Sequence, residues 1–401
     1  MKLAIVTAYP PSKVTLNEYA FHLVKEFQQK EILTELILLT DKTDGVRSVP
    51  YREGGCLITI KECWSFNSYS NIINVTKAIG QTKPDCVLFN IQFMKFGDKK
   101  IPAALSLMLP WICKLKKIPT IVLLHNILEQ VDLGNAGFTS NKIMQKFYNF
   151  VGTLLTRLIL KADRVAVTID KYVDVLKTKY EKDTIICVPH GTFELPEKPN
   201  YSVPKNPMKI MTFGKFGTYK KVEGMIEAIE KVRERTGLDL EIVIAGTDNP
   251  NVSGYLEEVN KRYAHVSQLT FTGYVKEEDV PRIFQESTVV VFPYTSTTGS
   301  SGVLHQSGGY GKAVVMPNIS DLASLVKDEG YRGEFFEPNS VASLADAIEK
   351  IITDDEYRVE LGKMNYKAAT AYPMSRIAEI YIEEFKKIIE EKQSSKIKVL
   401  E

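Results

Sequence analysis

The alternation of short apolar runs with longer amphipathic ones constrains this chain more than any other feature. Leu3 to Ala8 is followed by Leu16 to Gln29, and Cys86 to Ile91 by Ile101 to Lys116; Thr34 to Leu39, Thr120 to Leu124, Arg164 to Thr168 and Ile185 to Val188 continue the series. Runs this short fit strands buried on both faces, and the amphipathic runs fit helices that cover those faces. The rhythm breaks over residues 192–207, TFELPEKPNYSVPKNP, where prolines interrupt any period, and this stretch reads as an interdomain linker. It restarts with Ile210 to Phe213, a helix from Lys220 to Arg235, Leu240 to Ala245, a helix to Tyr263, Leu269 to Phe271 and Thr288 to Phe292. The expected fold class is therefore α/β, with doubly wound halves over 1–191 and 208–375. Beyond Pro373, Met374 to Glu391 places Ile377, Ile380, Tyr381, Phe385 and Ile388 on one face of a closing helix, and the end, KQSSKIKVLE, reads as frayed.

Composition narrows the function. With 401 residues, 44% of them hydrophobic, the chain fills two cores. Its 51 Lys and Arg against 49 Asp and Glu leave no global basic field, which disfavours nucleic acid as a partner. The five cysteines lack metal-ligand spacing and read as reduced core thiols of a cytoplasmic protein. The apolar stretch in MKLAIVTAYPP is too short for a signal peptide, and no run reaches the roughly 18 apolar residues of a spanning helix.

Open α/β sheets bind ligands beyond the carboxyl ends of their strands, so the strand-to-helix loops carry the chemistry. Gly214-Lys215-Phe216-Gly217-Thr218-Tyr219-Lys220-Lys221 follows the first strand of the second half. Glycine admits close backbone approach there, and the lysines supply charge for a diphosphate. Thr297-Thr298-Gly299-Ser300-Ser301-Gly302-Val303-Leu304 sets small hydroxyl residues at a helix start, which suits an oxyanion or an ordinary serine cap. Neither loop matches GxxxxGK[ST], and the first strand lacks GxGxxG, which disfavours a P-loop nucleotidase and a dinucleotide oxidoreductase. His125, in Leu123-Leu124-His125-Asn126, stands at a strand's carboxyl end; His190, in Val188-Pro189-His190-Gly191, reads as a structural turn. No DxD triplet or HExxH occurs, so no metal site is expected, and a leaving diphosphate would be neutralised by lysines and backbone dipoles.

The order and spacing of PPSKVTLNEYAFHLVKEF, LLHN, ADRVAV, VPHG, FGKFGTYKK, IVIAG, FTGYVKEEDVPRIF, VVVFPY, SSGVLHQSGGYGKAVV and YPMSRIAEIY resemble glycosyltransferase family 4, over residues 1 to about 390. That resemblance implies the GT-B fold: two Rossmann-like domains facing across a cleft, with a final helix, 376–401, crossing back to the first. It implies an acceptor domain over 1–191, a linker over 192–207 and a donor domain over 208–375. The activity implied is a retaining hexosyltransferase that uses a UDP- or GDP-sugar as substrate, needs no cofactor, and serves polysaccharide or glycoconjugate biosynthesis. Its acceptor would be a glycan or a lipid-linked molecule.

By the same resemblance, the diphosphate-binding cations fall on Lys215 and Lys220, the first a departure from Arg. The base-binding segment falls on Gly273-Tyr274-Val275, and the cleft histidine on His125. Gly214, Ser300, Ser301, Gly302 and Val303 would line the donor. The family's E-x7-E pair aligns with Thr298 and Gln306, so neither carboxylate is present, although Gln306 offers an amide to a ribose hydroxyl. The glycine pair after the first strand aligns with Val14 and Thr15. A non-catalytic nucleotide-sugar binder, an inactive partner subunit and a sugar-nucleotide epimerase remain open alternatives. Finally, IPAALSLMLPWICKLK (101–116) and KIMQKFYNFVGTLLTRLILK (142–161) mix large apolar residues with lysines. They fit helices packed on a sheet, or a peripheral membrane contact at the inner face.

Overall fold

In a computed structural model, the described residues are 1–12, 14–44, 55–127, 142–193, 195–196, 198–249, 252–296 and 300–397. They fall into two compact units, Met1–Pro189 with Met374–Glu401, and His190–Pro373. The first unit runs β1 (Lys2–Val6), α1 (Asn17–Phe27), β2 (Glu35–Asp41), β3 (Leu57–Trp64), α2 (Asn71–Thr82), β4 (Cys86–Ile91), α3 (Lys100–Ser106), α4 (Leu109–Leu115), β5 (Thr120–Leu124), α5 (Lys142–Ile159), β6 (Arg164–Val167), α6 (Asp170–Tyr180) and β7 (Ile185–Cys187). Its seven strands form a parallel sheet in the order β3-β2-β1-β4-β5-β6-β7. Every residue of β4 and β5 is buried, as strands covered by helices on both faces require. The segment expected as one helix over 101–116 is two, because Pro110 starts a second helix in its first turn.

The second unit runs β8 (Met208–Phe216), α7 (Glu223–Thr236), β9 (Leu240–Asp248), α8 (Tyr255–Arg262), β10 (Leu269–Gly273), α9 (Val280–Glu286), β11 (Val289–Val291), α10 (Gly302–Gly309), β12 (Ala313–Pro317), α11 (Ser320–Glu329), β13 (Glu334–Phe336), α12 (Val341–Ile352) and α13 (Asp355–Ala371). The six strands are parallel, in the order β10-β9-β8-β11-β12-β13. Strand order therefore reverses between β1 and β4 in one unit and between β8 and β11 in the other, and each reversal opens a crevice at the carboxyl ends.

The proline-rich stretch is not loose chain. Thr192 donates its backbone N–H to Tyr372 (2.9 Å) and its hydroxyl to Ala369 (2.9 Å); Tyr366 donates to Pro196 (2.7 Å) and Arg358 to Tyr201 (2.9 Å), which fastens the stretch to α13 and the residues just after it.

α14 (Met374–Ile397) returns to the first unit and packs on α1. Ile377, Tyr381, Phe385 and Ile388 are buried, the Tyr381 ring lies 6.4 Å from that of Phe27, and Lys30 pairs with Glu379 at 2.7 Å. The end expected to fray is helical as far as Ile397, and Lys392 pairs with Asp163 at 2.8 Å. All five cysteines are free, but Cys56 and Cys187 are partly exposed rather than in the core. Because the Phe385 ring is fully enclosed, Phe385→Ala should cost about 3–5 kcal/mol, read as a lower urea midpoint for the N-terminal unit.

Candidate functional site

At the crevice of the second unit, β8 continues past the point where a strand-to-helix loop was expected. Gly214, Lys215 and Phe216 stay paired with Gly246, Thr247 and Asp248 of β9, so Lys215 is a strand residue with an exposed side chain. The helix expected from Lys220 begins at Glu223. Lys220 is instead bridged to Tyr294, with Gly217 donating to the Lys220 carbonyl (2.9 Å) and Lys221 to that of Pro293 (3.1 Å). Those bonds hold the turn extended and aim the Lys220 side chain back at the end of β8.

Gly214 makes room for it. A Cβ there would stand 2.8 Å from Lys220 Nζ, and φ is +139°, a conformation that favours glycine. Gly246 is bound by the same contact, since its Cβ would fall 1.9 Å from the Gly214 carbonyl oxygen. The Lys220 ammonium lies 4.6 Å from the centre of the Tyr294 ring and 5.9 Å from that of Tyr219, which supply cation–π attraction but no counter-charge. Burial lowers the lysine pKa, with Tyr219 opposing. A cation held this way gains most from an incoming anion.

The second loop meets the first through Tyr294. Burial raises the Tyr294 phenol far above its ordinary range, while Ser301 beside it pulls the other way. Ser301, buried, precedes Gly302 at the start of α10, where the first helical turn presents the backbone N–H groups of Gly302 and Val303. Thr298 lies outside the described residues. Below the loop, the Ser300 hydroxyl meets His305 Nε2 at 2.9 Å, and His305 Nδ1 lies 2.9 Å from the Tyr331 hydroxyl and 3.4 Å from the Glu329 carboxylate. His190 stacks flat on His305, with ring centres 5.0 Å and planes 6° apart, and would lie 3.5 Å from a Cβ at Gly302. Burial, then His190, drives the His305 pKa well below 6.5, so the ring is neutral.

The reading of His190 as a plain turn residue missed this stack, and His305 was not singled out at all. Glu329, Tyr331 and His190 come from parts of the chain remote from His305, so no local spacing announces them. Only the scarcity of histidine, five in the chain, was a signal.

Tyr274 and Val275 follow β10, two strands from β8, on a groove of about 330 Å³ that Arg282 and Ile283 also line. Tyr274 is 80% exposed. Gln306 lies on the second turn of α10, in a recess with Phe193, Glu277 and Tyr310.

In the first unit, His125 follows β5 and is half-buried. Asn90 Nδ2 donates to Thr7 Oγ1 (2.9 Å) and to the Leu16 carbonyl (3.4 Å), which leaves its Oδ1 facing His125 Nε2 at 2.7 Å. A carbonyl only accepts, so the amide orientation is fixed and Nε2 carries a proton. Val14 and Thr15 lie in the loop after β1. Val14 donates its N–H to Ser12 (3.1 Å), Ser12 donates to Asp41, Gln92 donates to the Thr15 hydroxyl (2.6 Å), and the buried Lys95 donates to the Thr15 carbonyl (2.6 Å). Side-chain bonds thus fix a loop that the glycine pair would leave freer.

Gly214→Ala should push Lys220 out of its seat and weaken pyrophosphate binding about ten- to a hundredfold, the worth of a charged hydrogen bond, as read by calorimetry. A separate test concerns Lys95, whose pKa burial pushes down from 10.5 to about 7, with Asp41 opposing. Between those values the unfolded chain binds more protons, so stability should rise as pH climbs from about 7 toward 10. Urea titrations at several pH values should show that slope, and Lys95→Met should flatten it.

Residues 195–368 match the family model for glycosyl transferases group 1. An uncharacterized glycosyltransferase of Methanocaldococcus jannaschii is 25% identical over 150 residues, 37% of this chain and 37% of that protein, so the match spans well under half of either. Among solved structures, sucrose-phosphate synthase from Thermosynechococcus elongatus superposes with a TM-score of 0.73 over 97% of this chain and 99% of that one, at 16% identity. HepE of Anabaena, solved with UDP and glucose, superposes with a TM-score of 0.68 over 96% of this chain and 100% of that one, at 14% identity. The fold is GT-B.

Proposed function

We propose that this chain is a glycosyltransferase that moves a hexose from a nucleoside diphosphate sugar to a glycan or lipid-linked acceptor, with retention at the anomeric carbon and without a metal ion. The observation that carries the reading is the Lys220 ammonium, packed into the space left by Gly214 against Tyr294, whose phenol adjoins Ser301 at the start of α10. A cation and a row of backbone N–H groups fixed before the ligand arrives suit the two charges that a leaving diphosphate develops. The group 1 match over residues 195–368, which contains all of these positions, supports the same assignment.

In this reading Lys220 and the N–H groups of Gly302 and Val303 hold the diphosphate, with Lys215 adding charge from the end of β8. Tyr274 and Val275 flank the base, UDP being favoured by the HepE complex and GDP the alternative, and Gln306 binds a ribose hydroxyl. As the bond from the anomeric carbon to the phosphate oxygen breaks, the acceptor hydroxyl attacks from the same face and its proton passes to the departing diphosphate. His125, its ring oriented by the bond from Nε2–H to Asn90, is the acceptor-side histidine of this reading. The absence of a DxD triplet from the sequence supports neutralisation by lysine rather than by a divalent ion.

Lys220→Ala should lower donor turnover by about 10²–10³, the usual cost of deleting one preorganised electrostatic group, with an unchanged unfolding midpoint. Assayed in EDTA against UDP- and GDP-sugars, near-normal turnover in that variant would move the diphosphate elsewhere. A wild-type chain that binds the donor without consuming it would make this a nucleotide-sugar binder.

A further inference from the structure

Three helices of the N-terminal unit carry large apolar side chains on the outside. Ile101 of α3 is 62% exposed, Leu115 of α4 63%, and Phe150 and Leu154 of α5 68% and 50%. Scattered exposed apolar residues are ordinary, but these lie on adjoining helices, since α4 packs on both α2 and α5 and α2 also packs on α3. On α5, Lys146, Phe150, Leu154 and Arg157 follow one another at intervals of four, four and three, and all are exposed, so an apolar centre with basic ends forms one outward stripe, and the exposed Lys161 lies in the turn beyond it. The opposite side, Gly152, Thr156 and Ile159, is buried. The helix therefore buries Gly152, Thr156 and Ile159 and turns Phe150 and Leu154 outward, unlike a helix whose apolar face only serves the core.

Charge is segregated in the same segments, with Lys114 already paired to the buried Asp163. Residues 99–117 and 142–161 hold nine Lys or Arg and no Asp or Glu, in a chain whose totals are 51 and 49. A protein partner does not require so complete an exclusion of carboxylates. A negatively charged bilayer does: lysines meet the headgroups while residues such as Phe150 enter the acyl boundary between them.

We propose that the outward face of α3, α4 and α5 docks on the surface of an anionic lipid bilayer. This contact is separate from the donor chemistry and would bring a lipid-borne acceptor to the enzyme by confining both to one surface. The full chain should co-sediment with phosphatidylglycerol-containing vesicles at low salt, at least tenfold more than with pure phosphatidylcholine vesicles, and be released as salt screens the lysines. The double variant Phe150→Glu, Leu154→Glu changes only exposed side chains, so it should keep the wild-type unfolding midpoint while losing vesicle binding at least tenfold. A charge pair, Lys116→Glu with Lys117→Glu, should lose it likewise. Wild-type protein that stays in the supernatant at low salt, or folded variants that pellet as well as wild type, would overturn the proposal. Neither outcome touches the donor reading, because no nucleotide takes part in the assay.

Discussion

The second unit is organised around a contact between two glycines. Gly214 and Gly246 face each other at the ends of β8 and β9, so close that a Cβ on the second would overlap the carbonyl oxygen of the first. Their approach lets β8 extend to Phe216, and that extension delays the next helix to Glu223. The intervening turn then pairs Lys220 with Tyr294, which brings the strand β8 and the loop after β11 together at the point where strand order reverses. A positive charge without a carboxylate beside it follows from that geometry. In the proposed function, the affinity for anions is therefore a property of the backbone as much as of the lysine.

The same unit supports its second loop with a buried hydrogen-bond network. Thr298 and Gln306 align with the acidic pair of the family resembled, and the loop before α10 is supported from below by His305, Tyr331 and Glu329, with His190 stacked on the imidazole. Buried and neutral, His305 exchanges hydrogen bonds without adding charge, so the cations of the proposed diphosphate site are Lys220 and Lys215. In the first unit, Asn90 orients His125, and Lys95, Gln92 and Ser12 orient the loop that carries Val14 and Thr15. Both crevices use side-chain hydrogen bonds to fix what a more flexible backbone would leave loose.

Much of this was legible in the sequence, and the limits have physical causes. The continuous apolar runs marked β1, β2, β4, β5, β8, β9 and β11, because strands buried on both faces leave no polar alternation. β3 and α2 went unnoticed, as did α6 and the elements from β12 to α13: β3 is an edge strand carrying Thr59, Lys61 and Glu62, and α2 mixes Asn and Thr into its turns. The helix start at Lys220 was misplaced because the bond that delays it comes from Tyr294, a residue remote in sequence. His305 was silent for the same reason. For α5, periodicity revealed an amphipathic helix but not which face is buried; that needed the observed burial of Gly152 and Thr156.

The central claim is that a diphosphate sits between the Lys220 ammonium and the start of α10. A crystal structure of the chain soaked with a nucleoside diphosphate in EDTA tests it most directly. The account predicts phosphate density within hydrogen-bond reach, roughly 2.7–3.2 Å, of Lys220 Nζ and of the backbone N–H groups at Gly302 and Val303, with the base toward Tyr274. A nucleotide bound elsewhere on the molecule, with Lys220 still packed on Tyr294 and no phosphate near Gly302, would contradict it.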